Sequence, residues 1–324
     1  MSSRSILLTG ASGFLGSVLL RRLSTLEGNS VVAAYRSGKD EGDCASGVLS
    51  LGPIDGNTDW SDAWARPVNL VIHAAARVHV MSESEGDPLA AFRKVNVDGT
   101  LNLARQAANA GVKRFIFISS IKVNGESTPL GKPYTADDTP APLDPYGISK
   151  HEAEQGLLAL AVATGMEVVI IRPVLIYGPG VKANMRSMMW WLCRGVPLPL
   201  GAIDNRRSLV AVDNLVDLIL TCLEHPAAAN QVFLAGDGED VSTTGLLRRM
   251  GASLGHPARL LKVPSGLLQQ VAGWAGKEAV AQRLLGTLQV DIEKNRRLLG
   301  WSPPVTLNQG LLSTARHFLE SDQT

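Results

Sequence analysis

The sequence predicts an α/β fold, a doubly wound parallel sheet with a smaller, mostly helical C-terminal domain. Three observations carry this. Apolar, β-rich runs alternate with helical patterns from residue 5 to about 177. The runs 6–8, 70–72 and 168–171 are nearly continuous in Val, Ile and Leu, as strands buried on both faces require. After residue 177 the alternation stops at Gly178-Pro179-Gly180, and helix-like, Pro-punctuated pieces follow.

The first strand is expected at 5–9, and Gly10-Ala11-Ser12-Gly13-Phe14-Leu15-Gly16 then opens a helix through Val18-Leu19-Leu20. A second strand, 31–35, ends at Tyr35-Arg36. The third, 70–73, ends in His73-Ala74-Ala75-Ala76, and a helix is expected over 95–110. A fourth strand over 114–119 ends at Ser119-Ser120. Asp144 and Pro145 read as the N-cap and first position of a helix over 146–163. Strand five covers 168–172, and 231–235 reads as a sixth. Residues 1–177 are therefore assigned to the sheet domain with a return of 208–238, and 178–207 with 239–324 to the cap, punctuated by Pro257, Pro264, Pro303 and Pro304.

Bulk composition narrows the function. A chain of 324 residues, 45% hydrophobic and 19% charged, reads as a soluble globular protein with a large core. Its 31 basic and 30 acidic residues form no basic stripe, which argues against nucleic-acid partners. Cys44, Cys193 and Cys222 are an odd number at wide spacing, which argues for reduced thiols and against a disulfide framework or a zinc site. The cytoplasm is the expected compartment. A first strand so close to Met1 and the lack of a long apolar run predict neither signal peptide nor membrane span.

The glycine turn gains its meaning from position. Directly after a strand and opening a helix, Gly10 permits the tight turn, Gly13 lets backbone approach a pyrophosphate, and Gly16 lets helix pack on strand. The helix start through Ser12, Phe14 and Leu15 offers free N–H groups to an anion. Ala74 and Ala75 are small, as close approach of a dinucleotide requires. Where an NAD site carries an acidic residue on the ribose, this chain has Arg36, with Lys39 behind it. That leans to NADP(H), with NAD(H) the alternative. His73 reads as a packed core residue without an acid or base role.

Tyr146 and Lys150 lie one turn apart on the predicted helix. A phenol of ordinary pKa near ~10 needs a nearby cation to act at neutral pH, and Lys150 is that cation.

Taken together, the glycine turn, His73-Ala74-Ala75, Asn96-Val97-Asp98-Gly99-Thr100, Ser119-Ser120, Tyr146 with Lys150, Arg172-Pro173, Tyr177-Gly178-Pro179-Gly180, and Arg207 ahead of Val212-Asp213-Asn214 resemble the extended short-chain dehydrogenase/reductases. The likeness is to their nucleotide-sugar epimerase, dehydratase and reductase branch, and it spans nearly the whole chain. It implies a Rossmann-type cofactor domain in which Ser120 polarises the sugar carbonyl, Tyr146 exchanges the proton, and Lys150 lowers the phenol's pKa and binds the nicotinamide ribose. It adds Asn96 and Pro173 to the cofactor contacts, with Asp55 a substitute for the acceptor that Pro53 cannot supply. Asn184 and Arg207 would contact the diphosphate and Leu198 the uracil, with Lys122 also on the substrate side.

Sugar dehydratases of this branch carry an Asp-Glu pair where this chain has Ile121-Lys122, which excludes that elimination. The remaining readings are an NADPH-dependent 4-reductase of a UDP-4-keto-6-deoxy-N-acetylhexosamine, placed first because of Arg36 and a resemblance to O-antigen enzymes, and a UDP-hexose or UDP-N-acetylhexosamine 4-epimerase. A non-catalytic NADP(H)-sensing regulator is the alternative of another class. The resemblance also implies a possible homodimer through helices 96–110 and 146–163.

Overall fold

The computed structural model describes residues 4–36, 44–78 and 87–321. Lys39 lies outside them. The first half runs β1 (Arg4–Thr9), α1 (Phe14–Ser24), β2 (Asn29–Tyr35), β3 (Gly47–Ser50), β4 (Leu70–His73), α2 (Pro88–Arg93), α3 (Thr100–Asn109), β5 (Arg114–Ile118), α4 (Pro145–Thr164), β6 (Glu167–Pro173) and β7 (Leu175–Tyr177). The second half runs α5 (Ala183–Cys193), β8 (Arg207–Ala211), α6 (Val212–Glu224), β9 (Gln231–Ala235), β10 (Asp240–Val241), α7 (Thr243–Leu254), α8 (Ser265–Trp274), α9 (Glu278–Leu285), α10 (Glu293–Leu299) and α11 (Leu307–Ser321).

The central sheet is wholly parallel, in the order β3-β2-β1-β4-β5-β6-β9. Strand periodicity explains its two covers. In β1, Ile6 and Leu8 point to one face and pack with Leu19 and Leu23 of α1 and with Leu215 and Ile219 of α6. Leu7 points to the other face, where Leu103 and Ala107 of α3 and Ala153 and Leu157 of α4 cover the sheet. Between β1 and β4 the winding direction reverses, so the loops after these two strands diverge and open a crevice at the carboxyl edge.

Three expectations change in detail. The sheet has a seventh strand, β3, which Gly47-Val48-Leu49-Ser50 signals poorly because it is a short edge strand with alternate residues exposed. The helix expected at 95–110 opens as a π-helical turn over Lys94–Gly99 and continues as α3, with α2 directly before it. The expected return of 208–238 to the sheet is narrower, since α6 and β9 serve the central sheet while β8 pairs with β7 and β10 in a separate three-stranded sheet of the cap. The cap has its own core, in which Met185, Met189, Leu192, Leu247 and Leu311 meet.

Among the described residues no helix is long and apolar enough to cross a membrane.

Candidate active site

The crevice between β1 and β4 is built for close approach. Gly10 adopts φ +72°, and a Cβ there would come within 2.7 Å of the Ala75 nitrogen. At Gly16 a Cβ would meet the Gly10 carbonyl oxygen at 1.9 Å, so this glycine lets α1 start against the turn. Gly13 is the N-cap of α1 and has no side chain to satisfy the first-turn amides of Phe14 and Leu15, while Ser12 and Gly13 are exposed at the mouth. A turn without room for side chains, ending in uncapped amides, fits the pyrophosphate of a dinucleotide.

The crevice floor is fastened by His73. Its Nδ1 shares a hydrogen bond with Thr9 Oγ1 at 2.7 Å and its Nε2 one with Thr100 Oγ1 at 2.9 Å. Thr9 Oγ1 also accepts from the Ala75 amide at 3.3 Å, which ties the small-residue loop to β1. Burial, with the nearby Lys150 charge adding to it, pulls the imidazole down to about 3, so His73 is a neutral strut.

Tyr146 enters from α4. Asp144 caps that helix by accepting from the Gly147 amide at 2.7 Å, Pro145 occupies its first turn, and Gly165 at φ +76° ends it. A Cβ on Gly147 would lie 2.8 Å from the Lys122 carbonyl oxygen, so glycine lets this first turn abut the loop after β5 that carries Ser120. The Tyr146 phenol hydrogen-bonds with the Ser120 hydroxyl, and Phe92 meets its ring edge-on at 6.0 Å. Of Ser119-Ser120, the structure thus brings the second serine, the one the family resemblance implies, to the phenol. Ser119 is used elsewhere, donating to Glu154 Oε1 at 2.5 Å.

Lys150 lies one turn further on, 1% exposed, with Nζ 3.9 Å above the Phe117 ring. Burial pulls its ammonium down to about 7, against the opposing pull of Glu154. Burial, with Asp144 adding to it, pushes the Tyr146 phenol up to about 12, and the Ser120 bond only partly offsets this. In the protein alone burial is the largest cause of both shifts, since it disfavours the charged form of each group. A stability signature follows. Between about 7 and the ordinary 10.5 the unfolded chain binds the Lys150 proton and the folded chain does not, so this group makes stability rise with pH across that window. Urea unfolding at both ends of the window is expected to lose that component in Lys150→Met.

Several expected residues take positioning parts. Asn96, in the π turn, donates to the Arg77 carbonyl at 3.1 Å and to Ser149 Oγ at 3.0 Å, and accepts from the Arg77 amide at 2.8 Å. Both amide hydrogens are thus spent on joining the 74–77 loop to α4. Asp55 caps its own turn by accepting from the Asn57 amide at 2.9 Å and faces Lys94 at 3.7 Å. Lys122 pairs with Asp144 and, at 3.1 Å, with Glu126, so it braces the site from the side. Arg36 is exposed at the end of β2, and Pro173 is buried at the end of β6.

In the cap, Leu198 lies on the wall of the cap core. Its side chain is buried there, and its backbone pairs with Arg259 and Leu261 at 2.9 and 2.8 Å. Asn184 is exposed in the first turn of α5. Arg207 starts β8 with Nη1 3.2 Å from the Gly286 carbonyl oxygen, and no carboxylate pairs with it among the described residues. Burial lowers its pKa. A desolvated guanidinium lacking a counter-charge is a seat for an anion.

A buried polar network was not foreseen from the sequence. Glu154 accepts two bonds from Arg172, at 3.0 and 2.6 Å, while Arg172 Nη1 reaches Asn124 Oδ1 at 2.9 Å. It ties α4 to β6 beneath the serine pair. Glu154 stands four residues beyond Lys150, a spacing that could have announced it.

Comparison with known proteins agrees with this geometry. Residues 6–236 match the NAD dependent epimerase/dehydratase family. A UDP-glucose 4-epimerase of Vibrio cholerae is 49% identical over 98% of this chain and 97% of its own. A GDP-6-deoxy-D-mannose reductase of Pseudomonas aeruginosa is 28% identical over 77% and 80%. The crystal structure of UDP-glucose 4-epimerase with UDP-glucose from Thermotoga maritima superposes with a TM-score of 0.77 at 25% identity, covering 98% of this chain and 99% of that one. The chain thus belongs to the NAD dependent epimerase/dehydratase family, the nucleotide-sugar epimerase and reductase branch of the extended short-chain dehydrogenase/reductases, and is an enzyme of that class.

Proposed function

We propose that this enzyme is a UDP-sugar 4-epimerase acting on a UDP-hexose or UDP-N-acetylhexosamine. The observation that carries the reading is the phenol of Tyr146, bonded to Ser120 and one turn above Lys150, in a site without a carboxylate pair next to Ser120. Ile121 is buried and Lys122 is braced by Asp144, so neither can drive an elimination. What remains is reversible oxidation of a carbinol. Sequence alone placed the 4-reductase first, and the high identity to a 4-epimerase over the full chain moves the balance to the second reading.

In this reading Ser120 holds the C4 oxygen of the sugar. Tyr146 accepts the C4 hydroxyl proton on oxidation and returns it when the sugar is presented by its other face. Arg207 and Asn184 hold the diphosphate, fixing the nucleotide while the hexose turns. The glycine turn, Ala74 and Ala75 hold the dinucleotide, and Lys150 binds its ribose beside the phenol. When bound, the nicotinamide ring supplies reversible acceptance of hydride.

The reductase remains a second reading because Arg36 ends β2 where an acidic residue would repel a 2′-phosphate. Incubation with UDP-glucose, and separately with UDP-N-acetylglucosamine, without added cofactor is expected to yield the galacto forms. If NADPH is instead consumed only with a UDP-4-keto-6-deoxy-N-acetylhexosamine, and no interconversion occurs, the epimerase reading fails. Arg36→Glu is expected to weaken NADP⁺ against NAD⁺ by at least about tenfold, read by titration of both dinucleotides. Equal ratios in parent and variant would remove Arg36 from cofactor selection.

A further inference from the structure

We propose that the cap domain carries a membrane-docking surface, formed by the end of α5, the segment 259–264 and α8, which seats on an anionic phospholipid bilayer. The first observation is an apolar face without cover. No residue of α8 is buried, and Leu267, Val271 and Trp274 are 51%, 50% and 87% exposed. Their spacing of four and three residues puts them on one side of the helix. Leu261, just upstream, is 54% exposed, and Trp190 and Trp191 on α5 are 40% and 41% exposed. Three of the chain's six tryptophans thus stand at the surface of the cap, whereas Trp60 and Trp301 are buried.

These pieces are neighbours along connected backbone. The Arg194 guanidinium lies 3.5 Å over the Trp190 ring at the end of α5. Gly195 abuts the Arg259 side chain, and the backbone of Leu198 pairs with Arg259 and Leu261. Pro264 then leads directly into α8, its carbonyl accepting from Leu267 at 3.1 Å.

Charge selects the occupant. Arg194, Arg259, Lys262 and Lys277 have no carboxylate partner among the described residues. Between residues 256 and 286 four Arg and Lys face a single acid, Glu278, in a chain whose total is almost balanced. Indole rings settle where hydrocarbon meets headgroup, and Lys and Arg stems reach from an apolar footing to anionic phosphates. A second copy of this chain fits poorly, because a twofold contact through the patch would set the same unpaired cations against each other. None of these residues touches the crevice or the Ser120–Tyr146 pair, so the proposal stands apart from the epimerase reading.

The test is flotation of the full-length protein with vesicles of phosphatidylcholine alone and of an equal mixture of phosphatidylcholine and phosphatidylglycerol. Binding is expected to the mixed vesicles only, with a blue shift of tryptophan emission, and weakened by salt. Arg194→Glu with Lys262→Glu is expected to lower partitioning by at least about tenfold. Trp274→Ser should lower it also, and both variants should keep the parent's turnover of a soluble UDP-sugar. No flotation with anionic vesicles at low salt, or equal flotation of parent and variants, would overturn the proposal. So would a dimer that light scattering finds in the parent and not in Trp274→Ser, since a second copy would then cover the face.

Discussion

Replacing Tyr146 by phenylalanine is expected to lower turnover of the UDP-sugar by about three orders of magnitude, the range that loss of a positioned proton donor and acceptor produces. The substitution removes one oxygen and leaves the ring against Phe92, so the melting temperature should scarcely move. Substrate affinity should also hold, because Arg207 and Asn184, proposed above to hold the diphosphate, are untouched. This split separates a chemical role from a structural one. Serine at position 120 loses only its phenol partner in the variant, and Ser120→Ala should give a smaller fall, since it removes a hydrogen bond and leaves the proton carrier in place. A Tyr146→Phe enzyme retaining most of its turnover would mean that the reaction runs through another group.

The second large effect concerns stability. Glu154 and Arg172 are 2% and 4% exposed, and their two-point contact is completed by Ser119 and Asn124. Glu154→Ala leaves the guanidinium buried without its charge partner, and a loss of about 3–5 kcal/mol is expected in urea unfolding. Removing both charges, as in Glu154→Leu with Arg172→Met, should recover much of that, because the desolvation cost disappears with the ions. If the single variant lost under about 1 kcal/mol, well below that range, the network would be no more than packing.

The parts legible in the sequence share a physical cause. β1, β4 and β6 are buried on both faces, which demands unbroken runs of Val, Ile and Leu, and a pattern this strong survives without any alignment. The glycine turn could be read because Gly10 and Gly16 are fixed by sterics that no other residue satisfies. Asp144 and Pro145 announced α4 through the chemistry of helix capping. β3 was missed since an edge strand of alternating exposure needs few apolar residues. The π turn was missed because hydrophobic spacing barely distinguishes it from an ordinary helix. Asp55 and Leu198 mark what position alone leaves open. Position along the chain says which loop carries a residue, and only packing decides whether its side chain turns to a ligand, to its own turn or into a core. The same limit applied to Lys150, whose spacing from Tyr146 was plain while the depth of its burial was not.

β9 pairs along β6 from Val169 to Pro173, although 57 residues separate the end of one strand from the start of the other, counted as 231 − 173 − 1. A fragment ending at Tyr177 would therefore contain the whole nucleotide crevice and still be an unsound protein. It would present the Val-Ile-rich margin of β6 to solvent, an open template on which such fragments stack into aggregates. Attempts to express the two lobes as separate polypeptides should accordingly fail at solubility, and heating the intact chain should give one cooperative melt, since neither lobe owns a complete set of strands.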